Sequence, residues 1–335
     1  MEFPSDWAFK KGIKILGVEH GLASNVDTLI QNPVYFVPGE IYSQITNWEK
    51  IEEIDYGSDM DSYCFIHDAP DLAFDIQAQR NELSVQGDIS TVERNTKDRR
   101  WALLGNVGLW YRHALKAQER QGIFSLHAAA IYNPTANELL VIVGKAGSGK
   151  TVYLLEAISR GYQVFSTEMT YFRISPAGVH FLRGALHDNI RIGSFLYDFP
   201  EAAEVLNLEL PKVKNPWDHK ISVDLQALKT THAELVNPKL SFIFPRIEKG
   251  IESVKVKDIR DPKEVARLLY YSASDKIGCT FLIYDSFPIG SLDTAELAAK
   301  RWQAVVQLVS GEQWEVKQAK STRAGPKNCM EGIYQ

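Results

Sequence analysis

Short stretches of alternating apolar and polar positions dominate the first 95 residues. Such stretches occupy residues 34–37, 62–66 and 83–86, and each ends at turn-forming residues such as Pro38-Gly39. Alternation with period two, interrupted by proline, glycine and aspartate, is typical of β-strands. The pattern therefore predicts a β-rich N-terminal region over residues 1–95.

The pattern changes from Asp98 onward. Apolar residues recur at helical spacing between Leu103 and Leu115, which predicts an amphipathic helix over residues 98–120 that Gly122 stops. Two apolar runs follow, at residues 124–131 and 139–143, and they predict two buried strands joined by a turn.

Helical periodicity returns at residues 151–160, followed by Gly161 and a predicted strand at 164–168. Residues 187–219 are rich in turn residues, and we expect a mobile or substrate-facing segment there. The remaining predicted elements are strands at 171–175, 178–182, 220–225, 240–245, 253–257 and 279–284, and helices at 262–274 and 293–310. The whole pattern predicts a mixed α/β fold with domains at 1–95 and 96–320 and a loose tail at 321–335.

Composition narrows the class of protein. Of the 335 residues 45% are hydrophobic, enough for a real core, and the net charge of −5 gives no basic field for nucleic acid. Aliphatic runs of about five residues are far too short to cross a membrane. The three cysteines, Cys64, Cys279 and Cys329, are widely spaced and suggest reduced thiols. We expect a cytoplasmic protein that binds neither nucleic acid nor membrane.

One motif indicates a nucleotide-binding site. It matches the P-loop pattern G-x-x-x-x-G-K-[ST] in full and lies between a predicted strand and a predicted helix. Its residues are Gly144, Lys145, Ala146, Gly147, Ser148, Gly149, Lys150 and Thr151. In such a loop, backbone N–H groups surround phosphate oxygens, the lysine reaches the β- and γ-phosphates, and the hydroxyl binds Mg²⁺. ATP and Mg²⁺ are therefore the expected cofactors; the alternative is a glycine-rich turn without a ligand.

A carboxylate follows soon after this loop, at the end of the predicted strand 164–168. If that strand neighbours the P-loop strand, Glu168 lies near the phosphates. It would then hold Mg²⁺ through water or take a proton from an acceptor hydroxyl. The alternative is an ordinary acid at a strand end.

Over residues 120–185 the chain resembles the HPr kinase family, which has the phosphoenolpyruvate carboxykinase-type P-loop fold. The resemblance rests on Leu126-His127-Ala128, the P-loop, Arg160-Gly161-Tyr162 and Ser166-Thr167-Glu168. It implies a kinase core with a β-rich N-terminal region, and it implies that His127 lies beside the phosphates and an acidic partner. A histidine on an apolar strand is equally typical of a satisfied core residue.

Two departures from the family pattern bear on the substrate. The family carries two aspartates where this chain has Thr167 and Glu168, and a glutamate of its Glu-x-Arg-Gly segment is absent from Phe181-Leu182-Arg183-Gly184. These departures argue against HPr itself as the substrate and leave the general base open between Glu168 and His127. Divergent relatives phosphorylate other hydroxyls, including those of free amino acids and peptide side chains.

Further cations follow predicted strands. Arg183 and His187 would neutralise a transferring phosphoryl group, and a solvated loop explains them equally well. Arg246 would face the nucleotide, but an arginine after a strand is usually just solvated.

The leading hypothesis is an ATP-dependent, Mg²⁺-requiring phosphotransferase acting on a serine-like hydroxyl of a small molecule or peptide. Lys150, Glu168 and His127 would be catalytic, and Thr151 and Glu168 would hold the metal. Two alternatives remain: a nucleotide-binding regulator without transfer activity, and an ATPase that couples hydrolysis to movement of residues 187–219. Relatives are often oligomeric, so a homo-oligomer stays open.

Overall fold

The computed structural model describes residues 7–31, 47–96, 99–248, 250–284, 286–327, 329–331 and 333. The chain divides into two compact units. The first comprises Met1–Ile123 and Lys276–Ala298, and the second comprises Phe124–Asp275 and Ala299–Gln335. The domain boundaries predicted at residues 95 and 320 stay a prediction.

The first unit is built on a mixed sheet. Its described strands are β1 (Phe9–Ile15), β2 (Val18–Ser24), β3 (Glu52–Ile54), β4 (Ser62–Asp68), β5 (Asp75–Ala78) and β6 (Glu82–Gly87). They lie in the order β3-β1-β2-β4-β6-β5, in which β2, β4 and β6 are parallel and the other pairs are antiparallel. The strands predicted at 62–66 and 83–86 are confirmed as β4 and β6, whereas residues 34–37 lie outside the described residues.

Helices and a hairpin complete the first unit. They are α1 (Thr28–Gln31), α2 (Ile89–Asn95), α3 (Leu109–Arg120) and the pair β17 (Phe281–Ile283) and β18 (Phe287–Ile289). The helix predicted over 98–120 is wrong in its first half, since the described residues before α3 form a 3₁₀ turn at Arg99–Trp101 and further turns. Gly108, the N-cap of α3, lies so close to the Ala102 carbonyl that a Cβ would collide with it, so glycine is required where the turns meet the helix.

The second unit holds a larger mixed sheet. Its described strands are β7 (Phe124–Asn133), β8 (Glu138–Val143), β9 (Gln163–Ser166), β10 (Met169–Ser175), β11 (Gly178–Leu182), β14 (Glu234–Val236), β15 (Lys239–Ile247), β16 (Lys255–Asp258) and β19 (Val316–Ala324). The order is β14-β11-β10-β7-β8-β15-β19-β16, and β9 also pairs with β7. Strands β8, β15 and β19 run parallel, so their carboxyl ends meet at one edge, where ligands bind in α/β sheets.

Both faces of this sheet are covered. Apolar side chains of α6 (Pro262–Ser274) and α7 (Ala295–Ser310) pack on one face. Those of α4 (Lys150–Ser159) and α5 (Pro200–Val205) pack on the other. A mixed α/β fold is therefore confirmed.

The loose tail predicted for residues 321–335 is corrected, whereas the mobile or substrate-facing role expected of residues 187–219 stays a prediction. The turn-rich segment 187–219 contains β12 (His187–Arg191), which pairs with β13 (Lys220–Asp224), as well as a π-helical turn at Ser194–Asp198 and α5. Residues 321–324 belong to β19 rather than to a loose tail. Cys329, Met330 and Ile333 are buried as well, since they cover the α4 side of the sheet.

No helix in the part of the chain that the structure describes has the length and apolar character needed to cross a bilayer.

The pH dependence of unfolding tests the core of the first unit. Burial lowers the pKa of His113 from 6.5 to about 3, so the folded state favours the neutral ring. The contribution of His113 to the unfolding free energy is complete above pH 6.5 and is lost as the pH falls toward 3, by about 1.4 kcal/mol per pH unit. In urea unfolding measured between pH 4 and 7, the unfolding free energy of His113→Gln should change less steeply with pH than that of the wild type. The exposed His219→Gln is the control. An equal pH dependence of the unfolding free energy in the two variants would contradict the prediction.

Candidate functional site

The P-loop connects β8 to α4 at the carboxyl edge of the larger sheet. Gly147 and Gly149 have φ values of 83° and 110°, in the left-handed region that favours glycine. A Cβ at Gly149 would also collide with the Ile247 side chain of β15. Both glycines are therefore required by the backbone path, while Lys145 is exposed as expected.

The loop has the properties of an anion site. Gly149 is the N-cap of α4 and provides no side-chain cap, and a helix N-terminus of this kind attracts anions. Ser148 Oγ is buried without a hydrogen-bond partner among the described residues. A buried hydroxyl without a partner is costly, and a phosphate oxygen would satisfy it. These features fit a polyphosphate.

Lys150 is buried over the loop. Its Nζ donates to the Gly144 carbonyl at 2.8 Å and lies 2.9 Å from His127 Nε2. The same nitrogen is 3.5 Å from Glu168 Oε2. The ammonium therefore lies where the loop, the histidine and the carboxylate meet.

His127 lies on β7, and only 4% of its side chain is exposed. Both ring nitrogens face carboxylates: Nε2 is 2.6 Å from Glu168 Oε1, and Nδ1 is 2.8 Å from Asp275 Oδ2. Alternation along β7 directs this side chain to the α4 face, as it does those of Ala129 and Ile131. The residue is buried, but its partners are ionisable groups rather than core atoms.

Glu168 reaches this cluster by a route that the sequence did not predict. Strands β8 and β9 are not neighbours, because β7 lies between them. Ser166 pairs with Ala130 and Met169 with His127, so the interruption between β9 and β10 lies beside the histidine. Glu168 lies in that interruption with one third of its side chain exposed.

Thr167 explains why the strand is interrupted. Its N–H donates to the Ala185 carbonyl at 3.0 Å instead of pairing with β7. Its hydroxyl lies 3.1 Å from the same carbonyl and 2.7 Å from the carbonyl of His187. Gly184 allows this approach, because a Cβ there would collide with the Met169 carbonyl. Thr167 thus holds the start of β12 against the site.

Asp188, the second residue of β12, is an acid that the sequence analysis did not select. Its Oδ2 accepts a hydrogen bond from Thr151 Oγ1 at 3.0 Å. Burial, and then the nearby charge of Glu168, raise the pKa of Asp188 from 3.8 to about 6. A cation at this position would relieve both effects.

Asp275 was also missed. It lies just beyond a correctly predicted helix, and nothing in the local sequence relates it to His127. Asp188 lay in a turn-rich segment, where only its alternation with the apolar Ile190 signalled a strand.

The cluster could hold a divalent cation together with phosphate oxygens. Among the described residues, no three His, Cys, Asp or Glu side chains are arranged to hold a metal unaided. Magnesium prefers oxygen ligands and is usually held by one or two carboxylates plus substrate phosphates. Thr151, Asp188 and Glu168 provide donors of that kind.

Other predicted cations make structural contacts. Arg183 Nη1 donates to the carbonyls of Thr230 and His232, which ties down that loop. His187 Nε2 faces Asp224 Oδ1 at 3.6 Å across the β12–β13 pair. Arg246, three-quarters exposed, lies 2.5 Å from Glu248. These contacts do not bring the three cations into the cluster.

No protein-family model matches this chain, and no curated protein matches it. A function for this chain therefore has to be inferred from the geometry of the site.

Asp188→Asn tests the cation site. The amide keeps the shape of the side chain but removes an ionised group that burial and Glu168 disfavour at pH 8. The variant should be more heat-stable than the wild type without nucleotide, and it should lose most of the extra stabilisation that Mg²⁺ adds in the presence of ATP.

Thermal unfolding against Mg²⁺ concentration measures both effects. Asp258→Asn, an exposed acid on β16, is the control. An unchanged Mg²⁺ response in Asp188→Asn would remove Asp188 from the cation site.

Proposed function

We propose that this chain is an ATP-dependent, Mg²⁺-requiring phosphotransferase that phosphorylates a hydroxyl group, with a divergent HPr kinase-like P-loop core. The observation that supports this most is the cluster at the P-loop mouth, where Lys150, Glu168 and His127 lie within hydrogen-bond or ion-pair distance. A P-loop alone fits many reactions. An acidic group beside its lysine is what a hydroxyl acceptor requires.

The P-loop residues would bind the triphosphate of ATP. Backbone N–H groups at the start of α4 and the Ser148 hydroxyl would contact phosphate oxygens. Lys150 would exchange its present acceptors for the β- and γ-phosphates. Thr151 and Asp188 would hold Mg²⁺, and Glu168 would contact it through water. The ion, when bound, neutralises charge on the phosphates.

Glu168 is the better candidate for the general base. One third of its side chain is exposed, whereas only 4% of His127 is. An acceptor hydroxyl can therefore approach the carboxylate but not the ring. His127, hydrogen-bonded to Glu168 at 2.6 Å, would orient it.

The transfer step is a simple exchange of bonds. The acceptor oxygen forms a bond to the γ-phosphorus, the bond from that phosphorus to the β–γ bridging oxygen breaks, and ADP leaves. The acceptor proton passes to Glu168. Catalysis by this chain would then consist of positioning and charge stabilisation.

Transfer from γ-labelled ATP tests the proposal directly. The purified chain with Mg²⁺ should label one member of a panel of hydroxyl amino acids and serine- or threonine-containing peptides. Label released only as inorganic phosphate would instead support an ATPase. ATP binding with neither outcome would support a regulator.

Lys150→Ala should abolish acceptor labelling, because it removes the ammonium that contacts the γ-phosphate. The matched control is Lys145→Ala, which removes an exposed lysine from the same loop and should keep most activity. Unchanged labelling by Lys150→Ala would exclude this P-loop as the phosphate site.

Glu168→Gln separates the role of base from that of metal ligand. The amide cannot take the acceptor proton, so the transfer rate should fall by about 100-fold to 10,000-fold while ATP still binds. Calorimetry of Mg-ATP binding, with Glu248→Gln as control, accompanies the rate measurement. Loss of binding alone would make Glu168 a metal ligand and not the base.

A further inference from the structure

We propose that Asp275 is a positioning residue for this reaction. It keeps a hydrogen on Nδ1 of His127 and thereby directs Nε2 to Glu168 and Lys150. The reaction it would serve is the proposed phosphoryl transfer, but the positioning of the ring is a separate claim with its own measurement.

The last turn of α6 holds His127 at two points. Asp275 Oδ2 lies 2.8 Å from the ring Nδ1, and Ser272 Oγ donates to the His127 carbonyl at 3.2 Å. The same carbonyl accepts the N–H of Gly144, the first P-loop residue, at 3.2 Å. The ring, its backbone and the start of the P-loop are therefore tied to one helix end.

The position of this acid is unfavourable for the helix itself. Asp275 is the C-cap of α6, where the partial charge of the helix end is negative and a cation would be stabilising. An aspartate there works against the helix, and its contact with His127 is an interaction that offsets this cost.

The chemistry of the pair determines which ring nitrogen carries hydrogen. An ionised carboxylate only accepts hydrogen bonds, so a ring nitrogen at 2.8 Å from it must donate. Nδ1 therefore bears hydrogen. By the same rule the Glu168 carboxylate, 2.6 Å from Nε2, accepts a hydrogen from that nitrogen, and Lys150 Nζ lies 2.9 Å from the same atom, so the two carboxylates fix the ring from both sides. Without Asp275 the acceptor for Nδ1 is lost, so a ring with hydrogen on Nε2 alone becomes populated or the ring turns away from Glu168.

Nitrogen NMR of the full chain, labelled with ¹⁵N-histidine and free of nucleotide, tests the ring directly. His127→Gln assigns the signals of this residue. In the wild type Nδ1 should bear hydrogen; in Asp275→Ala a population with hydrogen on Nε2 alone should appear. Asp261→Asn, which changes the acid at the other end of α6, should leave the ring unchanged. A wild-type Nδ1 without hydrogen, or an unaltered ring in Asp275→Ala, would overturn the proposal.

Kinetics with the acceptor that the wild type labels give the second measurement. Asp275→Ala should lower kcat about 10-fold to 100-fold with little change in KM for ATP. Asp275→Asn, which keeps an oxygen acceptor without the charge, should retain the Nδ1 hydrogen and lie between the alanine variant and the wild type. Equal kcat for the three proteins would overturn the proposal. So would a loss that follows thermal stability across both variants, since that indicates a purely structural role.

The two claims can fail separately. If the wild type labels no acceptor, the proposed function fails, and the NMR result still decides whether Asp275 positions the ring. If labelling succeeds but the ring does not respond to Asp275→Ala, only the positioning claim fails. If the alanine variant does not fold, Asp275→Asn should still lower kcat below that of the wild type, and a wild-type Nδ1 without hydrogen would still overturn the proposal.

Discussion

The hydrogen bonds of the buried His127 ring join the parts of the second unit from which its site is built. The ring is carried by β7, and its partners come from α6, from the start of α4 and from the interruption between β9 and β10. A buried imidazole beside two carboxylates and an ammonium is tolerable only when each polar atom has a partner. The positions of these elements are therefore mutually dependent through one side chain.

Strand β7 makes this arrangement available. It pairs with the P-loop strand β8 on one side and with β9 and β10 on the other. An acid between β9 and β10 can therefore approach the P-loop lysine although its own strand does not adjoin β8. The neighbouring β15 contributes from the far side, because Ile247 packs against Gly149 and its N–H binds the Ser148 carbonyl.

Thr167 brings a second acid to the P-loop. Its hydroxyl contacts the carbonyls of Ala185 and His187 and thereby holds the start of β12. That contact places Asp188 against Thr151. Two acids therefore lie near the P-loop, Glu168 beside Lys150 and Asp188 beside Thr151. The raised pKa of Asp188 follows from this crowding.

Features that depend on neighbouring residues were determined by the sequence alone. The P-loop is one, because its glycines and helix start are local, and α6 is another, since periodicity and the cap Asp261 with Pro262 define its limits. Tertiary structure decided what depends on contacts distant in the chain. It started helix α3 only after Gly108 and placed β7 between β8 and β9. It also brought Asp188 to Thr151, 37 positions away in the chain, and Asp275 to His127, 148 positions away. The physical reason is that a single acidic residue leaves no repeating pattern in the sequence, and only the packing of strands and helices determines which group its carboxylate contacts.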